Sequence, residues 1–436
     1  MHLFGLLEAS SEADTAERFS VIYGTIIELA GVKRTAPNGR FVTLLNSFVS
    51  NRLSFSSAED TQTFFSHRAF FGDALLPENG GRFGCAKLQL SGLGAWASDI
   101  TGITKGADHL FSRSWVKPQA IQIGFPKGTI LLGVGVAAPA SARRWALEEY
   151  TGLHLTYHLP VTHSELSNDV WAFQNFLTFA TDRPNALTRL EVNQATDTSE
   201  NPLTVIGPPV FEDESVAEGV KAHELLFGHA EVDGRLEDVI RRWFNLAGRH
   251  SAAFAIYFGL KYNPPRYSDL RFQLMAQVLS LYCTVGSTDG IGGRPMYSFP
   301  YNFADTLEPA VRDELARTHP FAVLANALRT LTARYAVVFD PLINARDNVS
   351  RVPFLELAMR TFHYVIGRES GAPEGPKGMT YYWLTELLGF LWKIALLDEL
   401  GFTIEEQQKV FNRNRLYQHI RDEISHELFG AAPSHS

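Results

Sequence analysis

His223 and Glu224 stand side by side, with His229 and Glu231 a few residues further on. Imidazole nitrogens and carboxylate oxygens are the donors of a zinc or manganese site. The spacing works against one. A zincin needs its second histidine four residues after the first, so that both rings share a helical face. That place holds Phe227, and His229 falls on another face. A solvated surface cluster is the better reading, and no metal is expected. Gly133-Val134-Gly135 lacks the third glycine of a dinucleotide cradle and runs into Ala-Ala-Pro. No GxxxxGK[ST] phosphate loop and no GxSxG elbow occurs. No cofactor is expected.

The 436 residues suffice for two or three domains and a sizeable core. Apolar residues make up 45% and charged residues 20%, which excludes a disordered or collagen-like chain. A formal net charge of -8 leaves no global positive field for nucleic acid, so any such contact needs a local patch. Cys85 and Cys283 are the two cysteines, too few for a disulfide scaffold. The N-terminus has no basic run ahead of an apolar one, and the apolar segment 381–397 carries Glu386 and Lys393. A cytoplasmic protein without a membrane span is expected.

The first third reads as β-rich. Strands are expected at 21–29, 41–48, 53–57, 86–93, 120–125 and 129–137, with Gly, Asn and Pro between them. Leu166, Val170, Phe173, Leu177 and Ala180 recur at helical spacing, so a helix is expected near 161–182, ended by Asp182-Arg183-Pro184. Strands return at 188–193 and 203–207, and 211–218 reads as a loop. From Gly234 the texture becomes helical, with helices at 236–246, 252–261, 268–284, 307–317, 321–338, 353–367, 378–400 and 404–424. Loops are expected at 285–304 and 369–378. The fold class is therefore α+β: a β-rich N-terminal domain with inserted helices (1–233), a helical connection (234–265) and an all-α bundle (266–436).

Several pieces carry a resemblance in order and spacing. They are FFSHRAFFGD (64–73), LQLSGLGAW (88–96), VWAFQNFLTFATDRP (170–184), RRWFNLAGRH (241–250), IYFGLKYNPP (256–265), LRFQLMAQVLSLYC (270–283) and YYWLTELLGFLWKIALLDELGFT (381–403). In this series the chain resembles the ApeA-like bacterial anti-phage proteins. These join a β-rich N-terminal domain to an α-helical HEPN domain.

The resemblance implies metal-independent RNA cleavage by an R-x4-6-H motif on a helix. The arginine holds a phosphate bidentately and the histidine moves a proton at the 2′-hydroxyl or the leaving oxygen. Here the aligned helix is FLELAMRTFHYVIGRES (354–370), with Phe362 at the Arg position and Gly367 at the His position. Ser280 and Cys283 replace polar residues usual in the first helix of that domain. A local substitute is Arg360 with His363, three residues apart and ~60° apart on a helix, with Arg368 a turn further on. The bare expression also matches Arg312 to His319, Arg413 to His419, and Arg421 to His426, where Asp422 follows the arginine. Arg346, Arg351, Tyr381 and Tyr382 are candidate RNA contacts, as cations or as stacking platforms.

Two functions follow from the resemblance. One is an abortive-infection protein with a HEPN-type effector, restrained by an N-terminal half that senses a phage-derived trigger. The other is a catalytically inactive HEPN-like sensor or regulatory subunit that binds RNA or a protein. The large apolar residues Trp383, Phe390 and Trp392 lead to the expectation of a homodimer or heteromer through the C-terminal half.

Overall fold

The computed structural model describes residues 2–4, 26–29, 41–53, 61–72, 76, 81–100, 103–105, 113–137, 148–195, 202–207, 224–285, 320–347, 350–366 and 378–429. The chain divides into two compact units. Unit 1 comprises 1–174 and 185–217; unit 2 comprises 175–184 and 218–436.

Unit 1 is built on one antiparallel sheet. Its strands are β1 (His2–Phe4), β2 (Ile26–Leu29), β3 (Phe41–Leu53), β4 (Thr61–Gly72), β5 (Phe83–Leu90), β8 (Ile121–Phe125), β9 (Gly128–Ala137), β10 (Glu148–Val161), β11 (Leu187–Gln194) and β12 (Leu203–Ile206). They run in the order β2-β3-β4-β12-β11-β5-β10-β9-β8, with β1 also on β4. A separate hairpin joins β6 (Ile103–Lys105) to β7 (Arg113–Trp115). Alternation explains the sheet's two faces. Ala86, Leu88, Ile130, Leu132, Leu153, Leu155, Leu190 and Val192 point to one face and are buried. The helix α2 (His163–Thr181) contributes to that core, with Phe173 edge-on to Phe125 and His163 edge-on to Phe70. Its start is a capping box. The Thr162 N–H donates to Glu165 Oε2 (2.8 Å) and the Glu165 N–H donates to Thr162 Oγ1 (3.3 Å).

Two sequence expectations are corrected in this unit, and one strand is added. The strand expected over 86–93 ends at Leu90, and Leu93–Trp96 form the short helix α1, burying Leu93 and Trp96. The strand expected over 41–48 continues to Leu53, so 53–57 does not begin a new strand there. The 14-residue β10 was not anticipated, although Leu153, Leu155 and Tyr157 alternate along it.

Unit 2 is helical: α3 (Leu236–Arg249), α4 (Ser251–Tyr262), α5 (Ser268–Val285), α6 (Pro320–Arg334), α7 (Ala336–Phe339), α8 (Val352–Ile366), α9 (Gly378–Glu399), α10 (Ile404–Asn412), α11 (Arg415–His419) and α12 (Ser425–Phe429). The longest apolar helix is α9, whose later part is buried all round: Leu387, Leu388, Phe390, Leu391, Trp392 and residues 394–397 have no measurable exposure. Among the described residues no helix is long and apolar enough to cross a membrane. Gly401, at φ 88°, ends α9 in the left-handed conformation. There the Phe402 N–H donates to Leu397 O (2.9 Å).

The helix expected over 404–424 is broken. The Asn414 side chain accepts from the Tyr417 N–H (3.0 Å) and starts a new helix, which then passes through a π-helical turn at Ile420–Ile424. The helix expected at 307–317 lies outside the described residues. So do the loop expected at 211–218 and nearly all of those at 285–304 and 369–378.

Candidate functional site

Helix α8 carries the first Arg–His pair. Arg360 and His363 are exposed, while Thr361 and Phe362 between them are buried. Phe362, where the resemblance implied a phosphate-holding arginine, is 3% exposed and faces the interior. It offers neither charge nor donor, and its burial is that of a core residue. Gly367 and Arg368 lie outside the described residues.

Two of the candidate RNA contacts, Arg351 and Tyr381, lie inside the fold. Arg351 is buried and grips Asp340 bidentately, Nε to Oδ1 and Nη2 to Oδ2, both at 2.7 Å. Its guanidinium fork is therefore used inside the fold. Tyr381 is also buried, with its ring edge-on to Phe272. Arg346 is exposed in the turn before α8, where its backbone N–H donates to Ser350 Oγ (2.8 Å). Tyr382 is half-buried with its ring edge-on to Trp383.

The C-terminal helices hold the other pairs. Arg413 is engaged by Glu231 and by the Leu226 carbonyl (2.9 Å), and His419 lies 3.3 Å from Glu423 with its ring against Trp383. Arg421 and His426 would stand ~140° apart on an α-helix. The π turn between them, closed by the Ser425 N–H on Ile420 O, reduces that angle. Arg421 donates to both oxygens of Asp422 (2.6 and 3.0 Å), and this hydrogen bonding holds the Asp422 carboxyl below its ordinary range, aided by the charge of His426. Arg421, Asp422 and His426 thus form one surface cluster. Arg312 and His319 lie outside the described residues.

Three residues of the histidine–glutamate cluster near 224 are described, and each has its own surroundings. Glu224 takes Arg183 (2.9 Å), Glu231 takes the Gly228 N–H and Arg413, and His229 is buried; His223 lies outside the described residues. Among the described residues no three His, Cys, Asp or Glu side chains are placed to hold a metal ion.

Sequence reasoning missed two polar networks in unit 2. In one, the half-buried Asp182 carboxylate accepts from Lys261 Nζ (2.7 Å) and Lys393 Nζ (2.6 Å). In the other, helix ends converge. Tyr282 donates to Glu399 (3.0 Å), while Arg334 (2.6 Å) and Tyr335 (3.1 Å) both donate to Asp398. The buried His250 ring lies against Tyr282, 4.7 Å between centroids. Charge-bearing residues about 80 to 210 positions apart leave no local pattern by which the first network could have been found.

Comparison with known proteins places residues 2–243 in the family described as ApeA N-terminal domain 1. The chain belongs to that family. No curated protein and no solved structure matches it. The matched ApeA stretch covers the sheet of unit 1. It also takes in residues 175–184 and 218–243 of unit 2, ending within α3.

Proposed function

We propose that this ApeA-family chain acts in anti-phage defence, from the cytoplasm, with a HEPN-like helical unit that binds RNA or a protein partner rather than cutting RNA at α8. Membership of the ApeA N-terminal domain family carries the defence role. The burial of Phe362 favours binding over cleavage at α8, because a general acid–base site needs its phosphate clamp in the same cleft as its proton carrier. Partnering through the helical unit remains part of this proposal, but Phe390 and Trp392 are interior and cannot form the contact surface. Trp383 is half-buried.

A second reading is favoured by one observation. The π turn lowers the angle around the helix between Arg421 and His426, and this supports a metal-independent ribonuclease site there.

The test has two arms. In cells, expression of the chain should lower the plating efficiency of at least one member of a broad phage panel; full plating of every phage sinks the defence role. In vitro, the purified protein is incubated with tRNA and total RNA in EDTA. Little or no cleavage is expected. Cleavage lost in Arg360→Ala or His363→Ala returns the site to α8, and cleavage lost only in Arg421→Ala or His426→Ala moves it to the C-terminal helices.

A further inference from the structure

One face of the unit 1 sheet packs against the core; the opposite face of β9, β10, β5 and β11 carries a different set of residues. Register fixes their places. Gly133 of β9 stands opposite Gly152 of β10. Two residues along, Gly135 stands opposite Tyr150, and a Cβ on Gly135 would run into the Tyr150 ring. Tyr150 therefore lies across its neighbouring strand, 47% exposed. A Cβ on Gly133 would meet nothing within 4 Å. Two facing glycines beside a parked aromatic ring leave a flat floor that a second planar group can cover.

The adjoining positions supply polar chemistry. His154 of β10 is opposite Lys87 of β5, and Lys87 is opposite Glu191 of β11. Arg189 stands opposite Gln89 and donates to Glu191 through Nε (2.9 Å). In a chain of net charge -8, this face brings Lys87, Arg189 and His154 together around the carboxylate of Glu191. The His154 Nε2 atom is shielded from solvent and has no hydrogen-bond partner among the described residues. Burial and the charge of Lys87 lower the His154 pKa, which favours a neutral ring able to donate or accept. One strand spacing and two residues along separate the glycine floor from Lys87, roughly 8 Å, a distance that a lysine side chain and one nucleotide span together.

We propose that this face binds a nucleotide unit, its base over Gly133 and Gly152 beside Tyr150 and its phosphate at Lys87 and Arg189. Sheet faces recognise single-stranded RNA in this manner, with an aromatic ring for the base and cations for the backbone. The inference does not rest on the defence role, because it is read by binding to the purified full-length chain.

The probes are a short unstructured RNA labelled for anisotropy, and AMP by calorimetry. Saturable binding of the RNA, of AMP or of both is expected. RNA alone identifies a strand-binding site, whereas binding of AMP identifies a free-nucleotide site. Gly133→Leu covers the open floor from a Cβ that would meet nothing within 4 Å, Tyr150→Ala removes the ring, and Lys87→Glu reverses an exposed charge. Each should weaken binding by roughly tenfold, the loss expected of one stacked base or one charged contact. Circular dichroism and thermal melting of Lys87→Glu, whose side chain is exposed, confirm that the loss is not unfolding. Absence of saturable binding to both probes, or binding unchanged in all three variants, overturns the proposal.

Discussion

Lys393 Nζ lies 2.6 Å from Asp182 Oδ2 inside unit 2, on the same carboxylate that holds Lys261. A helix as apolar as α9 can carry a lysine at its centre because that charge finds a counter-ion. Asp182 has φ 55°, just past the end of α2, and its carboxylate is shared between two ammonium groups. Glu386 adds a second negative charge near both lysines, yet burial, reinforced by the charge of Lys261, still lowers the pKa of Lys393.

Asp182→Asn should therefore be far more damaging than Lys393→Met. The first takes the hydrogen-bonded carboxylate away from two ammonium groups, of which that of Lys393 is buried, a loss on the order of 3–5 kcal/mol. The second removes one of the two cations and leaves the Lys261 pair intact. Urea denaturation of both variants measures the difference, and equal losses would show that the two lysines are not competing for one carboxylate. The acid limb follows from the same group. Burial alone would raise the Asp182 pKa, but Lys261 and Lys393 outweigh it and hold the group at about 2. Because the folded value is below the unfolded one, the contribution is present above ~4 and lost as pH falls from there through about 2. The Asp182→Asn variant should show a shallower acid limb than the parent.

His250 makes a second pH prediction, in a different window. Burial, reinforced by Arg249, pushes its pKa down to about 4. The unfolded chain binds a proton at this histidine more readily than the folded one, so stability rises with pH across the interval. The contribution should be complete above ~6.5 and lost as pH falls through about 4, amounting to roughly 3 kcal/mol at most. Denaturation midpoints from pH 7 to 4 for the parent and His250→Phe test this. An unchanged slope in the variant would place the pH dependence elsewhere.

Arg351 is expected to behave as a structural residue. Its side chain is 10% exposed and that of Asp340 is 13% exposed. Arg351→Ala should destabilise by about 2–3 kcal/mol because it leaves the largely shielded Asp340 carboxylate without its bidentate partner. Arg351→Lys should recover only part of this, since an ammonium cannot reproduce the two parallel hydrogen bonds. Replacing both partners with Met and Leu should recover more than either single change predicts. Loss of RNA binding in Arg351→Lys with stability unchanged would contradict this assignment.

Local patterns were legible where their causes are local. The apolar stripe of α2, the Thr403-x-x-Glu406 capping box that starts α10 and the boundaries of α4, α5 and α9 follow from periodicity, caps and proline. The alternation in β10 was equally present, but Gly152, Thr151 and Pro160 obscured it among turn-forming residue types. Site residues fared differently. Arg360 and His363 are exposed on one helix, whereas the surroundings of Arg351 and Tyr381 depend on Asp340 and Phe272, which no spacing rule connects to them. The π turn before Ser425 has no counterpart in a 3.6-residue pattern, so the approach of Arg421 to His426 could not be read from the sequence.

The ApeA-matched stretch should not fold as a separate piece when cut at its own end. Residue 243, where the match stops, is a fully buried tryptophan within α3. Its ring lies against Phe176 and Phe179, which fall within the match, and against Phe254 and Phe258 beyond it. A fragment of residues 1–243 loses α4 and the rest of unit 2, so it exposes Phe176, Phe179, Phe227 and Trp243 together. Contiguous aromatic surface of that kind drives aggregation. The fragment should be found in the insoluble fraction or be degraded, while the full chain remains soluble. In the intact protein, Trp243→Ala should cost about 3–5 kcal/mol, the range for deleting a large buried aromatic. Solubility and limited proteolysis of the fragment, with urea denaturation of Trp243→Ala, check both halves of the argument. A monomeric fragment that unfolds cooperatively would mean that residues 175–184 and 218–243 need no support from the later helices.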